Sequence, residues 1–101
     1  MRHILLLAPR HRRGYTDSAL LDAKARGDMP TASRATTDEG YLAASMDWLD
    51  MVQAVTVYDD LPMTEAMRRL IARAEALGVP VEHRQLPVER LSVLDRMAIA
   101  A

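Results

Sequence analysis

The sequence predicts an α/β fold built on a parallel sheet of about four strands, each strand followed by a helix. Residues 54–81, AVTVYDDLPMTEAMRRLIARAEALGVPV, read as strand, acidic turn, amphipathic helix, glycine stop and second strand. Two parallel strands need a crossover of this kind. The run HILLLA at residues 3–8 is apolar along most of its length, which fits a central strand covered on both faces. Strand and helix patterns then alternate to the end of the chain, the order expected of a parallel sheet.

The first strand is bounded by Pro9 and by Arg10-His11-Arg12-Arg13-Gly14-Tyr15, the one cluster of positive charge. Residues 16–26 predict a short helix with Ala19, Leu20, Ala23 and Ala25 facing inward and Gly27 as its stop. Residues 29–33 contain Pro30, so a short edge strand is expected there. Thr36, with Glu39 three residues on, reads as a capping box in which each side chain satisfies a free amide of the helix start. The helix it opens shows Tyr41, Ser45, Trp48, Leu49 and Val52 on one face and is expected to run to about residue 53. Residues 55–58 are β-branched and aromatic, a strand ended by Asp59-Asp60-Leu61-Pro62. Met67, Leu70, Ile71, Ala74 and Leu77 mark the buried face of the next helix, which Gly78 and Pro80 terminate. Residues 81–86 give the last strand. Pro87 opens a final helix over 88–100 with Val88, Leu91, Leu94 and Ala98 at helical spacing.

The 101 residues are expected to form one domain, residues 1–101, with its core in 2–86 and the 88–100 helix added to it. A chain of this size buries about 60–70% of its unfolded surface, enough for one modest core. Hydrophobic residues make up 50% and charged residues 27%, which excludes a disordered chain. The net charge of -1 exerts no global pull on nucleic acid or an anionic membrane, and neither is an expected partner. With no cysteine there are no disulfides and no thiolate metal sites, and a reducing, cytoplasmic setting is the simple expectation. The apolar run at residues 4–8 is too short for a signal-peptide core or a membrane span. Phe is absent and Met occurs seven times, so the core should be aliphatic and adaptable.

Several pieces together resemble the nucleoside 2-deoxyribosyltransferase-like family, including its small bacterial and phage members. They are the strand end Ala8-Pro9, Gly27 with Pro30, and Asp47-Trp48-Leu49, followed by Val57-Tyr58-Asp59, Glu65-Ala66-Met67 and the stretch from Ala74 through Leu77-Gly78-Val79-Pro80-Val81. The resemblance covers residues 2–86 and implies a flavodoxin-like, Rossmann-like three-layer fold. Active members use a helix-borne glutamate to attack the anomeric carbon of a deoxyribose. Counting back from Gly78-Val79-Pro80, that position is Leu70, which has no nucleophile to offer. The acidic residue placed six positions earlier falls on Thr64, and the family's glycine is Ala66. Scaffold residues are kept and catalytic ones are not, so the resemblance implies a non-catalytic or degenerate member, commonly an oligomer in this family. No catalytic residue is therefore assigned.

Ligands of parallel sheets collect at the carboxyl ends of the strands, which brings the basic loop and the acidic turn to one edge. Arg10, Arg12 and Arg13 are the expected phosphate ligands, while Tyr15, Asp59 and Asp60 are expected to contact base and sugar of a nucleoside or nucleotide. Other readings stay open: a solvated loop with ordinary ion pairs, and turn-forming aspartates that complement the helix dipole. His3, His11 and His83 show no metal-ligand spacing, and the glycines form no phosphate fingerprint. No metal or cofactor is expected. The final helix either covers a sheet face, the favoured expectation, or pairs with a second copy or another protein. A phage-encoded factor that binds a host protein is thus the alternative function, and a glycosidase or deoxyribosyltransferase with a relocated carboxylate, Glu65, is a further one.

Overall fold

The structure, a computed structural model, describes residues 1–100. Its elements are β1 (Arg2–Leu7), α1 (Arg13–Ala25), β2 (Asp28–Thr31), α2 (Asp38–Trp48), β3 (Ala54–Tyr58), α3 (Glu65–Ala76), β4 (Val81–Arg84), a 3-10 turn (Val88–Arg90) and α4 (Val93–Ala100). The strands form one parallel sheet in the order β2-β1-β3-β4. Helices cover both faces, which makes a flavodoxin-like, Rossmann-like α/β fold.

Alternation along the strands sends Ile4, Leu6, Ala54 and Tyr58 to one face, where they pack against Tyr15, Ala19 and Ala23 of α1. Leu5, Leu7, Val55 and Val57 go to the other, against Tyr41 and Leu49 of the α2 region and Ala66, Met67, Leu70 and Ala74 of α3. The two central strands are therefore buried on both sides, which is why they read as near-continuous apolar runs. Pro30 lies in β2, an edge strand, where its missing N–H costs no inner ladder bond. Gly27 and Gly78 follow α1 and α3 at φ +89° and +75°, the left-handed conformation that glycine adopts without strain.

Several boundaries differ from expectation; β2 spans Asp28–Thr31 where 29–33 was expected, and α4 begins at Val93 where 88 was expected. α1 begins a turn earlier, at Arg13, because the Tyr15 ring drops into the core and anchors it; Ala25 faces out. The cap of α2 is Thr37, whose side chain accepts from the Gly40 amide at 3.0 Å. Gly40 has no side chain to reciprocate, so no capping box forms, and α2 ends at Trp48. β4 stops at Arg84, because the Leu86 amide donates to the Asp60 carboxylate instead of a strand.

The last helix is the largest departure. It does not cover a sheet face by an apolar stripe: Val88, Leu94 and Ala98 are exposed, and Leu91 is only partly buried. On the α1 face the sheet carries charge at the start of β1 and along β4. Arg2 bridges Asp28 and Glu82, with contacts of 3.2 and 2.7 Å, and Arg84 bonds Asp22 at 2.6 Å. An apolar helix gains nothing there, and α4 lies instead beside the carboxyl edge. No helix among the described residues is long and apolar enough to cross a membrane.

Candidate functional site

The order of the sheet reverses between β1 and β3, whose carboxyl ends lead into the basic loop and the acidic turn. This switch point is where open parallel sheets form a crevice. Asp60 organises it. One of its oxygens accepts from the Tyr15 hydroxyl at 2.6 Å and from the Leu86 amide at 3.0 Å, while the Asp60 amide donates to the Tyr15 oxygen at 3.1 Å. Tyr15 is 1% exposed, and burial together with the Asp60 hydrogen bond pushes its hydroxyl far above the ordinary phenol range. Burial leaves Tyr15 little surface for the expected contact with a base or sugar: its hydroxyl pins α1 to the turn after β3. Asp60 likewise spends one oxygen on structure.

Asp59 is half-buried and meets His83 Nδ1 of β4 at 3.0 Å. The arginines diverge. Arg10 turns to α2, donating to Asp38 at 2.6 Å and to the Thr36 carbonyl at 2.8 Å. Arg12 pairs with Asp95 of α4. Arg13 stands exposed in the first turn of α1.

Three cavities of about 460, 470 and 450 Å³ run along this edge, each within the usual range for small-molecule sites. The first is lined by His11, Arg12, Arg13 and Gly14 on the domain side, with the Asp95 carboxylate of α4 facing them. The second shares His11 and Arg12 with it and adds Pro9, Leu61, Pro62 and Met63. The third keeps the same apolar floor and ends on Asp59 and Asp60. All three border Ala98 of α4, so they form one groove that runs from a cationic to an anionic end beside that helix. At the cationic end α1 begins without a side-chain cap and with no acid in its first turn, and the space beside Gly14 is open. Free amides and the positive dipole end together favour an oxyanion there.

Two expected chemistries fall outside this groove. Leu70 is completely buried in the core beneath α3 and lines none of the three cavities. Glu65 is exposed, 3.5 Å from Arg69, and borders a separate cleft of about 200 Å³ between the starts of α2 and α3. No group of three or more His, Cys, Asp or Glu among the described residues is placed to hold a metal ion.

A polar cluster the sequence reading missed lies behind the groove. Buried Asp22 accepts from the Tyr58 hydroxyl at 2.7 Å and from Arg84 at 2.6 and 3.2 Å. Burial alone would raise its carboxyl, but the hydrogen bonds from Arg84 and Tyr58 outweigh that and hold it below the ordinary range. Burial and Asp22 push the Tyr58 hydroxyl up to about 12. The one hint was an acid at position 22 between the inward residues Ala19 and Ala23, with basic Arg84 alternating on the last strand. Comparison of the chain with protein-family models, curated proteins and solved structures gave no match.

Proposed function

We propose that the chain binds a nucleoside or nucleoside monophosphate in the carboxyl-edge groove and does not catalyse glycosyl transfer. The observation that carries this reading is the polarity of the groove: an uncapped helix start with Arg12 and Arg13 at one end, an apolar floor of Leu61, Pro62 and Met63, and Asp59 with Asp60 at the other. A phosphate suits the first, a base the second, and sugar hydroxyls the free carboxylate oxygens. Leu70 in the core and Glu65 outside the groove leave the ligand without a carboxylate nucleophile of the family's kind.

The test is a thermal-shift series with dAMP, AMP and deoxyadenosine, followed by product analysis. A ligand at 100 times its dissociation constant stabilises the fold by about 2.7 kcal/mol. The expected result is a shift with the monophosphates that Arg13→Gln weakens about tenfold, with no effect on the nucleoside. Release of free base would overturn the non-catalytic part, and no shift with any of the three would overturn binding.

A second reading, interaction with another protein or a second copy through residues 88–100, is favoured by the exposure of Val93, Leu94, Met97 and Ile99 on α4. Light scattering across a concentration series checks the self-associating form.

A further inference from the structure

α4 is docked the wrong way round for a helix held by the hydrophobic effect. Val93, Leu94 and Met97 are 70, 74 and 64% exposed, while Asp95 is 5% exposed. Asp95 is the one buried side chain on residues 93–99, and its partner is Arg12 in the wall of the cationic cavity. A carboxylate thus occupies the guanidinium that, on the nucleotide reading, belongs to the ligand's phosphate. Carboxylate and phosphate compete for the same planar fork of donors.

The segment before α4 is built as a tether. Leu86 is buried with its amide held by Asp60, and Leu91, partly buried against the core, is extended. Beyond it Ser92 starts α4, its Oγ accepting from the Asp95 amide at 3.1 Å. Arg96 donates to the Val88 carbonyl at 3.1 Å, a bond within the C-terminal segment itself. The Asp95–Arg12 pair is the one ion pair between α4 and the rest of the domain among the described residues.

We propose that α4 is a displaceable lid on the groove, latched by Asp95 on Arg12, and that an oxyanion bound at the start of α1 opens it by taking Arg12. This rests on the nucleotide reading of the same groove. The ligand's apparent affinity is then the intrinsic affinity reduced by the fraction of molecules with the lid open, and weakening the latch raises it.

The chain has no cysteine, so Met97→Cys gives a unique position for a spin label on an exposed site. Label mobility in the full chain is compared with and without Asp95→Ala, with Asp95→Asn as a second latch variant, before and after addition of dAMP or inorganic phosphate. Calorimetry on the unlabelled proteins measures dAMP affinity. The expected result is a mobile label in both latch variants without ligand, mobilisation of the Asp95 protein by dAMP, and dAMP binding about two- to fivefold tighter in the variants. An immobile label in both variants would overturn the latch whether or not dAMP binds. A mobile label with unchanged affinity would overturn the competition between Asp95 and phosphate. A mobile label with no binding of dAMP or phosphate to any of the proteins would overturn the groove reading, and the lid with it.

Discussion

α3 and α4 are both amphipathic, and they dock in opposite senses. α3 buries Ala66, Met67, Leu70 and Ala74 against the sheet and turns Arg68, Arg69, Arg73 and Glu75 to solvent. α4 buries Asp95 and leaves Val93, Leu94 and Met97 in water. Apolar burial is non-directional and grows with area, so α3 belongs to the cooperative core. A single ion pair with a half-exposed guanidinium is directional and weak, because water and salt replace it readily. The difference separates a helix that holds the fold together from one whose position a ligand can alter.

The sharpest break of that contrast is Leu70→Ala. Leu70 is fully buried among Leu5, Leu7, Val55, Val57 and Met67, and truncation there should cost about 2–5 kcal/mol from lost transfer energy and an unfilled cavity. Urea unfolding should show a large fall in midpoint with an unchanged slope. A loss below about 1 kcal/mol would mean that α3 is not the anchor described.

Asp22 tests whether polar anchoring is always weak in this protein. Unlike Asp95 on Arg12, Asp22 accepts hydrogen bonds from two partners, one of them the buried Tyr58 hydroxyl, and has Arg90 at 3.9 Å besides. Asp22→Asn should cost about 1–3 kcal/mol, less than a wholly buried pair because Arg84 remains partly solvated. Its depressed carboxyl also sets a pH dependence. A carboxyl lower in the folded than in the unfolded state contributes stability that is full above the ordinary range near about pH 4 and is lost as pH falls through the folded value. Glu82, held down by its hydrogen bonds from Arg2, acts in the same direction. Thermal midpoints should therefore fall steeply below about pH 4 in the parent and less steeply in Asp22→Asn.

How much of this was legible depends on which force placed each residue. Where apolar burial dominates, the pattern was open to reading: the β1 run, the α3 face from Met67 to Ala74 and the glycine stops at Gly27 and Gly78 lie where the periodicity puts them, while Leu77, expected on the same face, caps the helix and is exposed. Polar contacts between distant parts of the chain were not legible, because nothing local encodes them. Tyr15 reads as a loop aromatic until Asp60, 45 positions away, is brought to its hydroxyl. Thr36, with Glu39 three residues on, is the better cap in the sequence, and only the backbone chooses Thr37. Arg12 and Asp95 are separated by 83 positions, and the apolar spacing around Asp95 points toward a covering helix that the charged surface at Arg2, Glu82 and Arg84 does not accept.

The smallest expected effect bears most directly on the contrast. Ending the chain after Leu91 removes α4 and its ion pair but keeps Leu86 and Leu91, which pack against the core on the α1 side. What is lost is one pair with a partly exposed arginine, an interaction of about 0–1 kcal/mol, set against the release of chain entropy from the freed segment. The thermal midpoint should move by only a few degrees, about one fifth of the shift from Leu70→Ala, given about 4–8 °C per kcal/mol for a domain of this size. A loss approaching that of Leu70→Ala would mean that α4 shares in the cooperative core despite its exposed leucine and methionine, and that the ion pair marks the edge of a larger contact. A negligible loss, with Asp22→Asn still costly, would leave the two polar anchors distinct: Asp22 a part of the fold, Asp95 a removable contact upon it.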